Sequence, residues 1–280
     1  MFSYLSSPDA ADGVGVAFTD REGGASTGAR GSLNLGRTDI DDLDAVRRNG
    51  AVVRRALGVP TLVALNQVHG TDVQVVDEAF LTSWGGRPWG DDSWIGSAAG
   101  VPALPVADAA VTRLADVALL IRVADCVPVV LCDASAGVLG AAHAGRVGFD
   151  TGVLDRTVRA MQALGAADIT AWIGPHVCGR CYEVPQEMAD EIGRRHPGAA
   201  STTSWGTPSL DLGEGRRLQL ESIGVRVHRV DPCTLETPSL HSHRRDAGAS
   251  GRGAGIIWRV SGRRGVQRGV QSGSLVPDVF

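Results

Sequence analysis

Three residues able to change protonation state or bind a metal stand where apolar runs stop. They are His69 in "LVALNQVHGTD", Cys126 in "LLIRVADCVPVV" and His143 in "LGAAHAGRVG". Each is followed within two residues by Gly or Pro, so each is expected at a strand end, where a rigid scaffold turns and presents a side chain to a cleft. Two imidazole nitrogens and one thiolate form a borderline-soft ligand set that suits Zn2+ and leaves a fourth tetrahedral position for water or substrate. The three lie far apart in the chain, without the tight CxxC or HxxxH pairs of a local chelate, so only the fold can unite them. The alternative is a half-buried thiol and two hydrogen-bonded core histidines.

Other residues offer weaker chemistry. In "HAGRVGFD" a glycine-flanked Arg146 leads toward a helical pattern, and a guanidinium beside unpaired helix-start N–H groups suits a phosphate or carboxylate; a surface salt bridge is the alternative. Cys178 and Cys181 form a CxxC in "CGRCYEV". No second CxxC exists to complete a four-cysteine site and the flanks are not thioredoxin-like, so structural thiols are expected. In "LHSHRRDAGASGRG", His241 and His243 would share a face if extended, but the charges and small residues around them suit an anion-contacting loop or a solvated turn. Asp108 and Asp125, at strand ends, either orient ligands and protons or cap turns.

The elements that must position these groups follow from apolar patterning. Strands are expected at 14–18, 62–68, 109–112, 117–123, 127–132, 137–142, 169–173 and 225–230, and helices over "DLDAVRRNGAVVRRALGVP", from Thr151 to Leu164, and after Asp211 as far as Gly224. The strands between 117 and 142 are joined by connections too short for a parallel crossover, so they are expected to be mostly antiparallel neighbours. With helices added at intervals, this gives a mixed α/β layered domain over 1–260. Residues 80–106, carrying three of the six tryptophans among Gly, Pro and Asp, are expected to form a long excursion packing over an edge or, as the alternative, a lid over a site. Residues 261–280 lose the apolar period and are expected to form a solvated tail.

Composition narrows the function classes. The chain carries 27 basic against 31 acidic side chains, a net charge of -4, so no positive field advertises nucleic acid or an anionic membrane. Its longest apolar segments are broken by Arg122, Asp125 and Pro128 before they reach a membrane-spanning length. "MFSYLSSPDAADG" lacks the basic start and apolar run of a secretory signal, so a cytoplasmic location is expected, with the five cysteines held as thiols or metal ligands.

Eight motifs in order, "FTDREGGAS", "GSLNLG", "NQVHGTDV", "ADAAVT", "VADCVPVVLCD", "GVLGAAHAGRVG", "IGPHVCGRCYEV" and "HRRDAGASGRGAGIIW", resemble the laccase-domain or polyphenol-oxidase-like family of multifunctional purine nucleoside phosphorylases. The resemblance implies that His69, Cys126 and His143 bind zinc and carry catalysis, and that Arg146, Arg245, Arg21, Asn34 and Asp108 contact substrate. It also implies a layered fold shared with toxin-type cysteine hydrolases. The implied partners are a purine nucleoside and inorganic phosphate, yielding free base and ribose 1-phosphate, with deamination of adenosine as a further activity. The chain departs from the family at one place: "HAGWRG" is usual, whereas here Arg146 comes one position early and Val147 stands where the arginine belongs. In an extended segment that shift would reverse the face of the side chain, leaving Arg21 or Arg245 to take its place. Three rivals stand beside this expectation: a hydrolase of cell-wall precursor amides with Cys126 as nucleophile, a non-catalytic zinc or nucleotide-binding protein, and a copper phenol oxidase. The last is disfavoured because three ligands with one thiol cannot build several copper centres.

Overall fold

The computed structural model describes residues 1–8, 13–36, 41–84 and 104–261. Two sheets stack face to face between outer helices. The first runs in the order β1 (Phe2–Ser6), β2 (Val14–Thr19), β13 (Gly253–Arg259), β6 (Val117–Val123), β3 (Thr61–Val63). The second runs β12 (Arg226–Arg229), β9 (Thr170–Ile173), β7 (Val127–Asp133), β8 (Val138–Ala144), β5 (Ala109–Thr112), β4 (Val73–Val76). The pairs β3–β6, β4–β5 and β9–β12 are parallel and the remaining pairs in these sheets antiparallel. A hairpin of β10 (Ala200–Thr202) and β11 (Pro208–Leu210) lies apart.

The side chains of each central strand divide between two cores, as the period of two requires. From β6, Val117, Leu119, Ile121 and Val123 enter the layer between the sheets, where they meet Phe18 of β2 and Val130 and Leu139 of the second sheet. Ala118 and Leu120 point the other way, toward α1 (Leu43–Leu57) and its Val46, Val53 and Leu57. From β7, Val127, Val129 and Leu131 face the opposite outer core with α4 (Val153–Ala163), α5 (Gln186–Arg195) and α6 (Leu212–Ser222). Burial on both faces explains why these strands are near-continuous apolar runs in the sequence.

Three expectations change. β6 and β7 are not neighbours: residues 124–126 carry the chain from the first sheet to the second, with Asp125 in the left-handed region at φ 77°. A short connection excludes a parallel crossover within a sheet but permits a change of sheet. The helix expected from Thr151 to Leu164 is α4, beginning at Val153, but an unexpected short helix, α3 (Arg146–Thr151), precedes it, separated by Gly152 at φ 88°. α2 (Glu78–Ser83) and α5 appear where no helix was expected. Most of the tryptophan-rich excursion and of the expected tail lies outside the described residues.

Candidate active site

The loop from β3 to β4 and the turn from β6 to β7 both cross from the first sheet to the second, and β8 ends beside them. His69 lies on the first, Cys126 on the second and His143 near the end of β8. Their ligand atoms all lie within 4.8 Å of one another. The Cys126 Sγ–His69 Nε2 distance is 3.7 Å, and the imidazole centroids of His69 and His143 are 4.7 Å apart at 70°. A tetrahedral zinc with ordinary Zn–S and Zn–N bonds sets an S···N separation of about 3.6 Å, so the donor set fits that ion in type and in spacing.

Asp108, fully buried at the start of β5, organises the cluster. Its Oδ1 accepts from the His69 amide (3.0 Å) and is paired with His143 Nδ1 (2.7 Å); its Oδ2 accepts from the amides of Val68 (3.0 Å) and Gly70 (2.7 Å). One carboxylate thus fixes the left-handed backbone of His69, φ 61°, and the ring of His143, so that Nε2, on the Cys126 side, is the atom left to serve as a ligand. A carboxylate behind a ligating imidazole is the usual outer support of a zinc histidine. Burial opposes ionisation of Asp108, but the His143 hydrogen bond and those amides outweigh it and hold its pKa below the ordinary carboxylate value. Burial also opposes a Cys126 thiolate, yet hydrogen bonds and charge from His143 and His69 bring the thiol down to about 6. Against the same burial, Asp108 and Cys126 raise His143 to about 9.

Gly145 closes the cluster from below. A Cβ there would stand 2.7 Å from the His69 ring and 3.3 Å from Cys126 Sγ, so the turn tolerates no side chain. Beneath it lies Arg216 of α6, fully buried. Its guanidinium donates to the carbonyls of Ala144, Gly145 (3.0 Å) and Leu212 (2.5 Å) and sits 4.6 Å from the centre of the Phe149 ring. Burial lowers its pKa to about 9. Nothing in the sequence reading singled out Arg216; the polar residue on the buried side of α6 was its signal.

Two clefts open onto the cluster. The larger, of 340 Å³, is lined by His69, Cys126 and His143 together with Asn66, Arg122 and Arg252. The smaller, of 190 Å³, is lined by Cys126, Arg146, Tyr182, His243 and Arg244 among others. Ala124, Cys126 and His243 line both. Arg146 begins α3, so its one-place offset is a rotation of about 100° about a helix rather than the reversal an extended segment would give, while Val147 is exposed. The Arg244 guanidinium lies 4.4 Å from the Tyr182 ring centre. Neither guanidinium has a carboxylate partner among the described residues.

The remaining expected substrate residues lie outside the lining of both clefts. The Arg245 guanidinium is held by the carbonyls of Thr234, Thr237 and Leu240 and by Asp246. Arg21 donates to the carbonyls of Gly31 and Ala29. Asn34, fully buried, accepts from the amides of Gly36 and Arg252, two residues of the larger cleft's wall. Asp125, by contrast, lies in the wall of the smaller cleft, where it accepts from Thr234 Oγ1 and from the Arg244 amide and so clamps two loops. His241 is buried against the Leu33 carbonyl whereas His243 faces the clefts, so the two do not form a ligand pair.

A family model described as multi-copper polyphenol oxidoreductase laccase matches residues 15–260. The chain is 47% identical over 247 residues to a purine nucleoside phosphorylase of Streptomyces griseus, covering 86% of this chain and 93% of that one. To a purine nucleoside phosphorylase of Streptomyces coelicolor it is 45% identical over 255 residues, 89% and 97% of the two chains. Among solved structures, YlmD from Geobacillus stearothermophilus superposes with a TM-score of 0.77 at 31% identity, over 92% of this chain and 96% of that one.

Proposed function

We propose that this chain, which belongs to the family described as multi-copper polyphenol oxidoreductase laccase, is an enzyme of purine nucleoside phosphorolysis. The observation that carries the reading is the meeting of two clefts at Cys126, one of them bearing Arg146 and Arg244, whose guanidinium groups have no carboxylate partner among the described residues. A nucleoside fits the larger cleft, whose volume falls within the usual range for small-molecule sites, with the exposed Asn66 carboxamide available to the purine edge. Inorganic phosphate occupies the smaller cleft, where Arg146 and Arg244 neutralise it by charge-assisted hydrogen bonds. The two reactants then face each other across the cluster: a phosphate oxygen forms a bond to the anomeric carbon as the bond to the purine nitrogen breaks, and the base leaves with that electron pair. Holding both in one orientation supplies the entropic part of the acceleration. The purine names of the Streptomyces relatives support this substrate class.

His69, Cys126 and His143 would hold a Zn2+, which when bound supplies Lewis-acid polarisation of a reactant at its open position, chemistry that also serves deamination of adenosine. Zinc is proposed over copper because the ligand clusters among the described residues contain only two histidines. The reading is tested by incubating the protein with adenosine or inosine, with and without phosphate. Free base released only with phosphate supports it; inosine formed from adenosine supports the deaminase activity; no turnover of any nucleoside refutes both.

A second reading rests on one specific arrangement. Without a metal, Cys126, His143 and Asp108 form a thiol–imidazole–carboxylate series with the thiol at about 6, as in cysteine hydrolases. Metal and nucleophile compete for one sulfur. Loss of one equivalent of metal in Cys126→Ser favours the phosphorylase; protein with no metal held by Cys126 that cleaves an amide favours the hydrolase.

A further inference from the structure

A second ligand cluster lies away from both histidines, in segments the proposed reaction does not use. Cys178 and Cys181 follow β9, and Cys233 and Glu236 follow β12. The parallel bridge between His176 and Cys233 brings these loops together, and the four ligand atoms lie within 4.8 Å of one another. Two of the sulfurs, on Cys181 and Cys233, are buried. The amides of Cys178 and Glu236 donate to the Cys233 sulfur, and the Glu236 carboxylate approaches Cys178 Sγ at 4.0 Å. The sequence supplied only half of this site, a single CxxC. The fold completes it with Cys-x-x-Glu from a segment 52 residues further on.

We propose that Cys178, Cys181, Cys233 and Glu236 hold a structural Zn2+ in a closed tetrahedral site. Three thiolates and a carboxylate, two from each loop, match the ligand number and softness of structural zinc and leave no open position. Arg180, 3.3 Å from the Glu236 carboxylate, offsets part of the excess negative charge. The metal ties the loop carrying Tyr182, on which Arg244 rests, to the loop carrying Thr234, which donates to Asp125 beside Cys126. It is therefore a pin behind the smaller cleft. The assignment stands whatever reaction the protein catalyses, because its test reads metal rather than turnover.

The full-length protein is reduced, loaded with Zn2+ or Co2+, desalted, and its metal counted by mass spectrometry. Wild type is expected to retain two equivalents, and Cys126→Ser and Cys233→Ser one each. The cobalt form of Cys126→Ser is expected to keep the intense thiolate charge-transfer absorption of a multi-sulfur tetrahedral site. Glu236→Gln, an exposed change that spares the fold, is expected to weaken cobalt binding in the Cys126→Ser background at least tenfold. The proposal is overturned by a folded Cys126→Ser protein that retains no metal, by unchanged affinity in Glu236→Gln, or by a native chain lighter by the two hydrogens that a disulfide among these cysteines would lose.

Discussion

Replacing Asp108 by Asn tests how the cluster is held with the smallest change of shape. Each carboxylate oxygen accepts two hydrogen bonds, Oδ1 from His69 N and His143 Nδ1 and Oδ2 from Val68 N and Gly70 N. An amide presents one oxygen and one NH2, so whichever way it turns, two donors meet a donor. Hydrogen bonds to a charged group are worth about 1.5–3 kcal/mol each, and losing two in a fully buried setting gives an upper bound of about 3–6 kcal/mol in stability. If the amide nitrogen faces His143, the ring loses the partner that fixes its tautomer; if it faces Gly70, the His69 loop loses its anchor. Either outcome loosens one ligand, and the loss of such an outer partner lowers metal affinity about 10- to 100-fold. Competition for Zn2+ against a chromophoric chelator measures the affinity, and urea unfolding of the metal-free protein measures the stability. An Asn variant that binds zinc within about threefold of wild type, with an unfolding midpoint that does not move, would refute the role assigned to Asp108; the 10-fold lower bound leaves no overlap.

Further outcomes follow from the same geometry. Arg146→Ala should strongly raise the phosphate concentration needed for turnover while metal content stays at the wild-type value, and an unchanged phosphate dependence removes Arg146 from the site. Gly145→Ala puts a methyl 2.7 Å from the His69 ring, so metal analysis of the folded variant should show the cluster's ion lost; full retention contradicts the cradle. Arg216→Met takes a charged donor from three carbonyls, of which Gly145's keeps the Phe149 amide, and should cost about 1.5–3 kcal/mol in unfolding free energy, which a denaturant titration checks. Burial holds His241 at about 4, below the ordinary imidazole value, so the unfolded chain takes up this proton first as pH falls. Stability should be unaffected by His241 above about 6.5 and should decline from there to pH 4, by about 3 kcal/mol. A His241→Gln protein should show that much less acid loss over the same window, and parallel curves would exclude His241 as the cause.

The parts of the fold legible in the sequence are those where one residue type signals one environment. Val117–Val123 and Val127–Asp133 are apolar on both faces because each lies between two cores, and His69, Cys126 and His143 are conspicuous because a titratable group ends such a run. β13 was missed because "GAGIIWR" is diluted by glycines; yet Gly255 is required there, since a Cβ would come within 2.9 Å of Pro128 and 3.0 Å of Phe18. The change of sheet at 124–126 was hidden because chain length across a turn says how far two strands can separate, not which partners they choose. Long-range pairing also concealed Arg216 beneath the β8–α3 turn and the joining of Cys233 to the CxxC. Arg245 lies outside both clefts for a local reason: three backbone carbonyls of its own loop claim its guanidinium, a demand that residue type alone cannot disclose.

The two crossings that carry His69 and Cys126 have a kinetic consequence. Neither sheet holds the cluster by itself, because both residues lie on spans between sheets and His143 belongs to the second sheet alone. Metal capture must then wait until the sheets have docked, and metal escape requires them to part or a crossing to unfold locally. Uptake of a coloured ion during refolding would act as a clock for that docking step. By mass action, a bound ion would in turn resist separation of the two layers more than fraying of any single strand.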